Sequence, residues 1–239
     1  MQNGILVELH NLTKIYPMGA GQTLTALDHV TLTFEQGEFS GVVGPSGSGK
    51  TTLLNIIGSL DSPTQGTARV LGKDVHALTA KESAQLRNHH LGFIFQTYNL
   101  LPVYTAFENV EFPLLLLDYS ASQRKKMVME ALEWVGMADR AKSKPAQLSG
   151  GQGQRIAIAR AIVKQPALVL ADEPTANLDA ENSHNILRLM KHLNKELKTT
   201  FLFSTHDEKV IGYLRRKITL RDGAVATDEA VLDQKALEQ

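Results

Sequence analysis

An α/β fold with an antiparallel β portion and an inserted block of helices is predicted for this chain, on three observations. Residues 44–51 read Gly-Pro-Ser-Gly-Ser-Gly-Lys-Thr, placed between the apolar run Phe39–Val43 and the apolar-faced stretch Thr51–Ile57. That is the order strand, glycine-rich loop, helix. Short apolar runs suited to buried strands return at Leu168–Ala171 and Thr200–Ser204, whereas from Thr105 to about Lys164 the pattern is helical with no convincing strand. Near the start, Ile5–Leu9 and Val30–Phe34 alternate apolar with polar residues, the mark of half-buried antiparallel strands.

The remaining elements follow in chain order. Tyr16–Gln22 is rich in Pro and Gly and is expected to be a surface loop. After the helix over 51–57 come a turn at Asp61–Gly66, a strand near Thr67–Leu71 and a polar helix at Ala80–Asn88. Leu91–Phe95 is a further buried strand. Within the helical block, a helix over Ser120–Val135 ends near Gly136 and another follows Gly151. Ile218–Val225 reads as a hairpin turning at Asp222-Gly223. The chain divides into one nucleotide-binding core with its β subdomain, about 1–96 and 165–239, and a helical subdomain, about 97–164, with no repeat or linker.

Composition sets the class. At 239 residues, 43% hydrophobic and 21% charged, the chain can bury a sizeable core. Its 25 basic and 25 acidic residues cancel, so no global field draws it to nucleic acid or anionic lipid. The absence of cysteine excludes disulfides, thiolate metal sites and a cysteine nucleophile, and fits a reducing compartment. The first residues, MQNGILVELHN, show no signal-peptide pattern. The longest apolar runs, such as Leu114–Leu117, fall far short of the ~20 residues that span a bilayer.

The chemistry begins at residues 44–51, which fill every fixed position of the phosphate-binding loop G-x-x-x-x-G-K-[ST]. Gly44, Gly47 and Gly49 let the backbone of this loop, which also holds Pro45, Ser46 and Ser48, curl so that successive N–H groups face phosphate oxygens. Lys50 brings a cation to the outer phosphates, Thr51 offers a hydroxyl to magnesium, and Thr52 continues the helix whose N-terminus faces the anion. Such a loop needs an acid at the end of a neighbouring strand. Ala167–Glu173 (ALVLADE) supplies two: Asp172 for the magnesium shell and Glu173 to polarise an attacking water. An acidic turn closing a strand would look the same in isolation. Ser149-Gly150-Gly151-Gln152, preceded by Leu148, is a second glycine turn opening a helix; it is either another anion site or a helix cap on Ser149.

GPSGSGKT, LSGGQ and LADE in that order resemble the ATP-binding subunits of ABC transporters, over about Val7–Val225. The resemblance implies an ABC-type P-loop NTPase core with an antiparallel β subdomain and an inserted helical subdomain, binding ATP and Mg2+. It further implies that Gln96 contacts magnesium or the attacking water, and that Asn177-Leu178-Asp179 helps join two subunits. His206 would contact the γ-phosphate, and Tyr16 would stack on adenine; Tyr16 packing beside Pro17 is the competing reading. In such proteins the LSGGQ turn caps ATP held by a second copy, so the expected unit is a two-fold ATP sandwich dimer. Gly153 departs from the pattern, which often has glutamine there. A glycine weakens the first helical turn by about 1 kcal/mol relative to alanine.

The stretches LLNIIGSLDSPTQG, LGFIFQTYNLLPVYTAFENVEFPLLL and RRKITLRDG are similar to the bacterial lipoprotein-release and macrolide-efflux subgroup, the LolD-like and MacB-like ATPases. This implies a peripheral ATPase on the cytoplasmic face of the inner membrane, driving a separate permease with a periplasmic domain by mechanotransmission. The cargo would be lipoprotein, drug or a similar substrate. A near relative in cell division transports nothing and signals to periplasmic proteins, and that role is the alternative. Tyr98–Phe107 matches the permease docking segment; Tyr98, Leu100, Leu101 and Tyr104 either form that groove or enter the chain's own core.

Overall fold

The computed structural model describes residues 4–231; the ends of the expected domain, 1–3 and 232–239, lie outside the described residues. Two sheets enclose one helix. The first, in the order β2-β1-β4-β5, is antiparallel and comprises β1 (Ile5–Gly19), β2 (Gln22–Glu35), β4 (Gln65–Val70) and β5 (Lys73–Asp74). The second runs β10-β9-β3-β8-β7-β6, with β3 (Phe39–Val43), β6 (Leu91–Ile94), β7 (Leu168–Asp172), β8 (Thr200–Thr205), β9 (Arg216–Arg221) and β10 (Ala224–Ala230). It is parallel from β9 to β6, with β10 antiparallel at the edge.

Helix α1 (Lys50–Ile57) lies between the sheets. Its Leu53, Leu54, Ile56 and Ile57 pack with Leu9 and Phe34 of the first sheet and with Val42, Leu168, Leu170 and Leu202 of the second. The alternate residues of the same strands, Phe39, Val169, Ala171, Phe201 and Phe203, face the other way. There they meet helices α3 (Ala106–Glu111), α4 (Ala121–Trp134), α5 (Gly150–Ile162) and α6 (Ala180–Leu197). Both faces of the parallel strands are therefore covered, which is why their sequence is continuously apolar rather than alternating. The remaining helices are α2 (Ala80–His90) and the short α7 (Glu208–Ile211).

Most elements lie where the sequence places them. Ser120 caps α4 in a reciprocal box with Gln123, and Asp222-Gly223 turns the terminal hairpin. The expected loop over Tyr16–Gln22 is overturned. Tyr16 pairs with Leu24 and Pro17 with Thr23, and only Ala20-Gly21 turns. Both turn residues are left-handed, at φ +48° and +77°, the two-residue geometry that matches strand twist. Pro17 is tolerated because β4 pairs with β1 only as far as Thr13, so beyond it β1 is a sheet edge on that side.

Candidate functional site

Three strand ends and one loop converge. β3 feeds the loop 44–49, β7 ends at Asp172, β8 ends at Thr205, and the arms of the β1–β2 hairpin add Tyr16 and Leu24–Ala26. The cleft between them has a volume of about 490 Å³. It is lined by Tyr16, Ser46, Gly47, Gly49, Lys50, Thr51, Thr52, Gln96, Asp172, Glu173 and His206 from the expected set. Leu24, Thr25, Ala26 and Ser204, which motif reasoning did not single out, complete it. The first three were missed because they carry no motif; Ser204 precedes His206 by two residues, which is the only local signal for it.

The loop is built to be close-packed. A Cβ on Gly49 would stand 2.4 Å from the Ala26 carbonyl oxygen, and one on Gly44 2.3 Å from that of Leu220; both sites have positive φ, +100° and +151°. Only glycine meets both conditions. Lys50 is buried, and its Nζ donates to the Gly44 carbonyl at 2.8 Å and the Pro45 carbonyl at 3.0 Å, so the cation sits in the curl of its own loop. The buried Ser48 and Ser204 hydroxyls have no hydrogen-bond partner among the described residues.

The Thr51 hydroxyl faces the Asp172 carboxylate at 3.4 and 3.5 Å, long for direct hydrogen bonds. A hydroxyl and one carboxylate are hard oxygen donors suited to Mg2+ that also takes phosphate and water ligands. No group of three or more His, Cys, Asp or Glu among the described residues could hold a metal by itself. One residue on, Glu173 adopts φ +46°, an uncommon left-handed conformation for a side chain of this size, while its N–H donates to the Ser204 carbonyl at 2.9 Å. Its Oε1 lies 2.6 Å from His206 Nδ1, and its Oε2 accepts from the Thr205 hydroxyl at 3.1 Å.

Several expected residues stand away from this cleft. Ser149, Gly150, Gly151 and Gln152 open α5 outside its lining, with Ser149 and Gln152 capping each other reciprocally. Asp179 caps α6: its oxygens accept from the Asn182 N–H at 2.9 Å and side-chain amide at 2.6 Å. Those hydrogen bonds hold its carboxyl below the usual range. Two of the separate pieces are stitched together, because the Asn177 side chain donates to the Gln96 carbonyl at 2.9 Å.

The segment after Gln96 is only partly free. Leu100 packs on the main core, Tyr98 and Leu101 are half-buried, and Tyr104 is exposed. Tyr98 and Asn99 are both left-handed, and Arg160 on α5 donates to their two carbonyls at 2.6 Å each. The unusual Gly153 has a steric reason. A Cβ there would lie 3.2 Å from Tyr98 Cδ2, so glycine leaves room for the ring against the first turn of α5. Val103 and Tyr104 are exposed within this segment, and outside it so are the apolar residues Leu60, Phe112 and Leu116. The last three flank a groove of about 360 Å³ that also includes Phe93, Phe95, Arg87 and Lys164. No helix among the described residues is long and apolar enough to cross a membrane.

Comparison with known proteins identifies the family. The family described as ABC transporter matches residues 27–176. The lipoprotein-releasing system ATP-binding protein LolD of Pseudoalteromonas translucida (strain TAC 125) is 46% identical over 228 residues, 95% of this chain and 98% of that protein. The uncharacterized ABC transporter ATP-binding protein YvrO of Bacillus subtilis (strain 168) is 46% identical over 226 residues, 94% and 97% of the two chains. Among solved structures, the dimeric cassette MJ0796 in a post-hydrolysis state with ADP and Pi superposes with a TM-score of 0.86 at 42% identity, covering 95% of this chain and 99% of that one. With the phosphate loop, the acid pair and the glycine turn arranged as described, the chain belongs to the ABC transporter family, as a LolD-like ATP-binding subunit.

Proposed function

We propose that this ATP-binding subunit hydrolyses ATP to drive a separate integral membrane subunit with a periplasmic domain, by mechanotransmission, for the extraction or export of a lipoprotein, drug or similar substrate. The observation that carries the catalytic part is the convergence of Lys50, Thr51, Asp172, Glu173 and His206 on one cleft from three strand ends.

In this reading the backbone of 44–49 and Lys50 bind the β- and γ-phosphates, and Tyr16 faces the base. Thr51 and Asp172, with Gln96 nearby, would hold Mg2+, which neutralises charge between phosphates when bound. Glu173 accepts a proton from the attacking water and His206, 2.6 Å away, orients that carboxylate. Ser149–Gln152 and Asp179 lie outside the cleft, which supports a role for them against nucleotide held by a second copy. The MJ0796 cassette is itself a dimer with ADP and Pi, and LolD is named for lipoprotein release. The chain then works as a peripheral protein on the cytoplasmic face, with residues 97–164 acting as the helical subdomain. The groove by Phe95, Phe112 and Leu116 supports a docking face for the membrane subunit that is displaced from Leu100, which packs on the main core, and from Tyr98, whose ring lies against the first turn of α5.

Co-expression with the product of the neighbouring gene, where that gene encodes a membrane protein, tests this reading. The two should co-purify, and the partner should raise ATP turnover. A partner with many spanning helices and no large extracytoplasmic domain would refute the mechanotransmission part, and absence of turnover with any partner would refute the enzymatic part.

A further inference from the structure

Besides the Thr52 side chain of the phosphate site, Tyr16 is held by residues that belong to no nucleotide motif. Lys14 and Tyr16 are two apart on β1 and so share a face of the strand. The Tyr16 hydroxyl donates to Asp61 Oδ2 at 2.7 Å. Lys14 Nζ donates to Asp61 Oδ1 at 2.5 Å and to the Ser62 carbonyl at 2.8 Å, and the Ser62 N–H donates to Asp61 Oδ1 at 2.7 Å. The same ammonium stands 4.8 Å from the centroid of the Tyr16 ring, within cation–π range. Tyr16 lines the cleft and Lys14 does not, so the ammonium lies over the ring without forming part of the cleft lining.

Asp61 lies in the turn that leaves α1, the helix whose first residues form the phosphate site. That turn is stitched to β1 at more than one point. Thr64 N–H donates to the Thr13 carbonyl at 2.8 Å, and Ile15 N–H donates to the Thr64 hydroxyl at 3.0 Å. Burial and the Asp61 contact push the Tyr16 phenol up and outweigh the hydrogen bond with the Thr52 side chain, which lowers it, so the phenol remains a donor at neutral pH. Burial pushes the Asp61 carboxyl up as well, but hydrogen bonds from Lys14, Tyr16 and Ser62 outweigh it and keep the carboxylate charged.

We propose that Asp61 and Lys14 are positioning residues for the nucleobase: they pin the far end and one face of the Tyr16 ring, holding it as a pre-set platform at a fixed distance from the phosphate loop. The proposal rests on the reading of Tyr16 as the base platform. An aromatic side chain free to rotate must be ordered when the base arrives, whereas a tethered one is ordered beforehand, and the affinity gained is that ordering cost. The tether also occupies the Tyr16 hydroxyl, so the ring offers the base a face and no hydrogen bond.

Calorimetric titration of the full chain with Mg-ATP and with inorganic tripolyphosphate tests this. Asp61→Asn should weaken ATP binding about three- to tenfold and leave tripolyphosphate binding unchanged, with KM raised and kcat at saturating ATP preserved. Tyr16→Phe keeps both the ring and the Lys14–Asp61 pair, so it is the variant that spares the fold. It should lose as much as Asp61→Asn, and the double variant no more than either. Tyr16→Ala should lose more, again for ATP alone. Equal losses for ATP and tripolyphosphate in Tyr16→Phe, or strictly additive losses in the double variant, would overturn the tether. A loss in Tyr16→Ala with none in Tyr16→Phe or Asp61→Asn overturns the tether and leaves the platform standing. Unchanged ATP affinity in Tyr16→Ala overturns the platform reading itself, and the tether with it.

Discussion

Glu173 and His206 meet at 2.6 Å between Oε1 and Nδ1, and the carboxylate is the sheltered partner, with 16% of its side chain exposed against 64% for the imidazole. A carboxylate partly withdrawn from water and held by a second group is oriented as a proton acceptor. Its backbone at φ +46° is sustained by the N–H bond to the Ser204 carbonyl, and its carboxylate meets Thr205 and His206. Glu173→Gln is therefore expected to lower phosphate release by about 100-fold or more while ATP affinity stays within about threefold. In the proposed reading His206 acts through Glu173, so adding His206→Ala to that variant should slow it little further. Steady-state phosphate release and equilibrium nucleotide binding measure both, and wild-type turnover in Glu173→Gln would remove it from the base role.

Lys50 spans its own loop, donating to the carbonyls of Gly44 and Pro45. Lys50→Ala should reduce ATP affinity by at least about tenfold, since charge-assisted contacts to phosphate are lost in a confined site. Fluorescent-nucleotide titration would show it, and tripolyphosphate binding should fall in parallel, unlike the base-side variants.

Two loop glycines predict different outcomes. Gly49→Ala sets a methyl 2.4 Å from the Ala26 carbonyl at φ +100°, and should cost about 2–3 kcal/mol of stability together with nucleotide binding. Gly47→Ala meets open space at φ +81° and should cost only about 1 kcal/mol, the price of the left-handed backbone. Urea unfolding of the two variants compares them directly.

Lys164 supplies the pH dependence. Burial lowers its amine from 10.5 to about 8, with Nζ donating to the Arg87 carbonyl at 2.8 Å. Between pH 8 and 10.5 the unfolded chain holds this proton and the folded chain has released it. Stability contributed by this group therefore rises with pH across that window, by up to about 3 kcal/mol. Lys164→Met should remove that rise and raise stability at pH 7 by about 1–2 kcal/mol, because the buried charge is gone. The Arg87 carbonyl keeps the Leu91 N–H as a partner. Thermal midpoints of both proteins at pH 7 and pH 10 measure the difference; a steeper pH slope in the variant would contradict it.

Sequence alone determined the phosphate loop, the acid pair at the end of its strand, the capped helices and the alternation that separates the antiparallel sheet from the buried parallel one. These are local: a glycine that tolerates positive φ, a serine that caps its own helix, or a period of two is decided by neighbours in the chain. Tertiary structure decided what those pieces touch. The Glu173–His206 contact follows from the register of β7 on β8, which sets Asp172 beside Ser204 and carries the following residues into contact. No periodicity specifies the partner strand. Tyr16 moved from an expected loop into a strand because pairing with Leu24 satisfied its backbone, and only then did Asp61 come within reach of its hydroxyl. Gly153, an unexplained departure in one dimension, is the space that the Tyr98 ring fills in three. Contacts between residues far apart in sequence depend on register and packing, and these are properties of the assembled sheets.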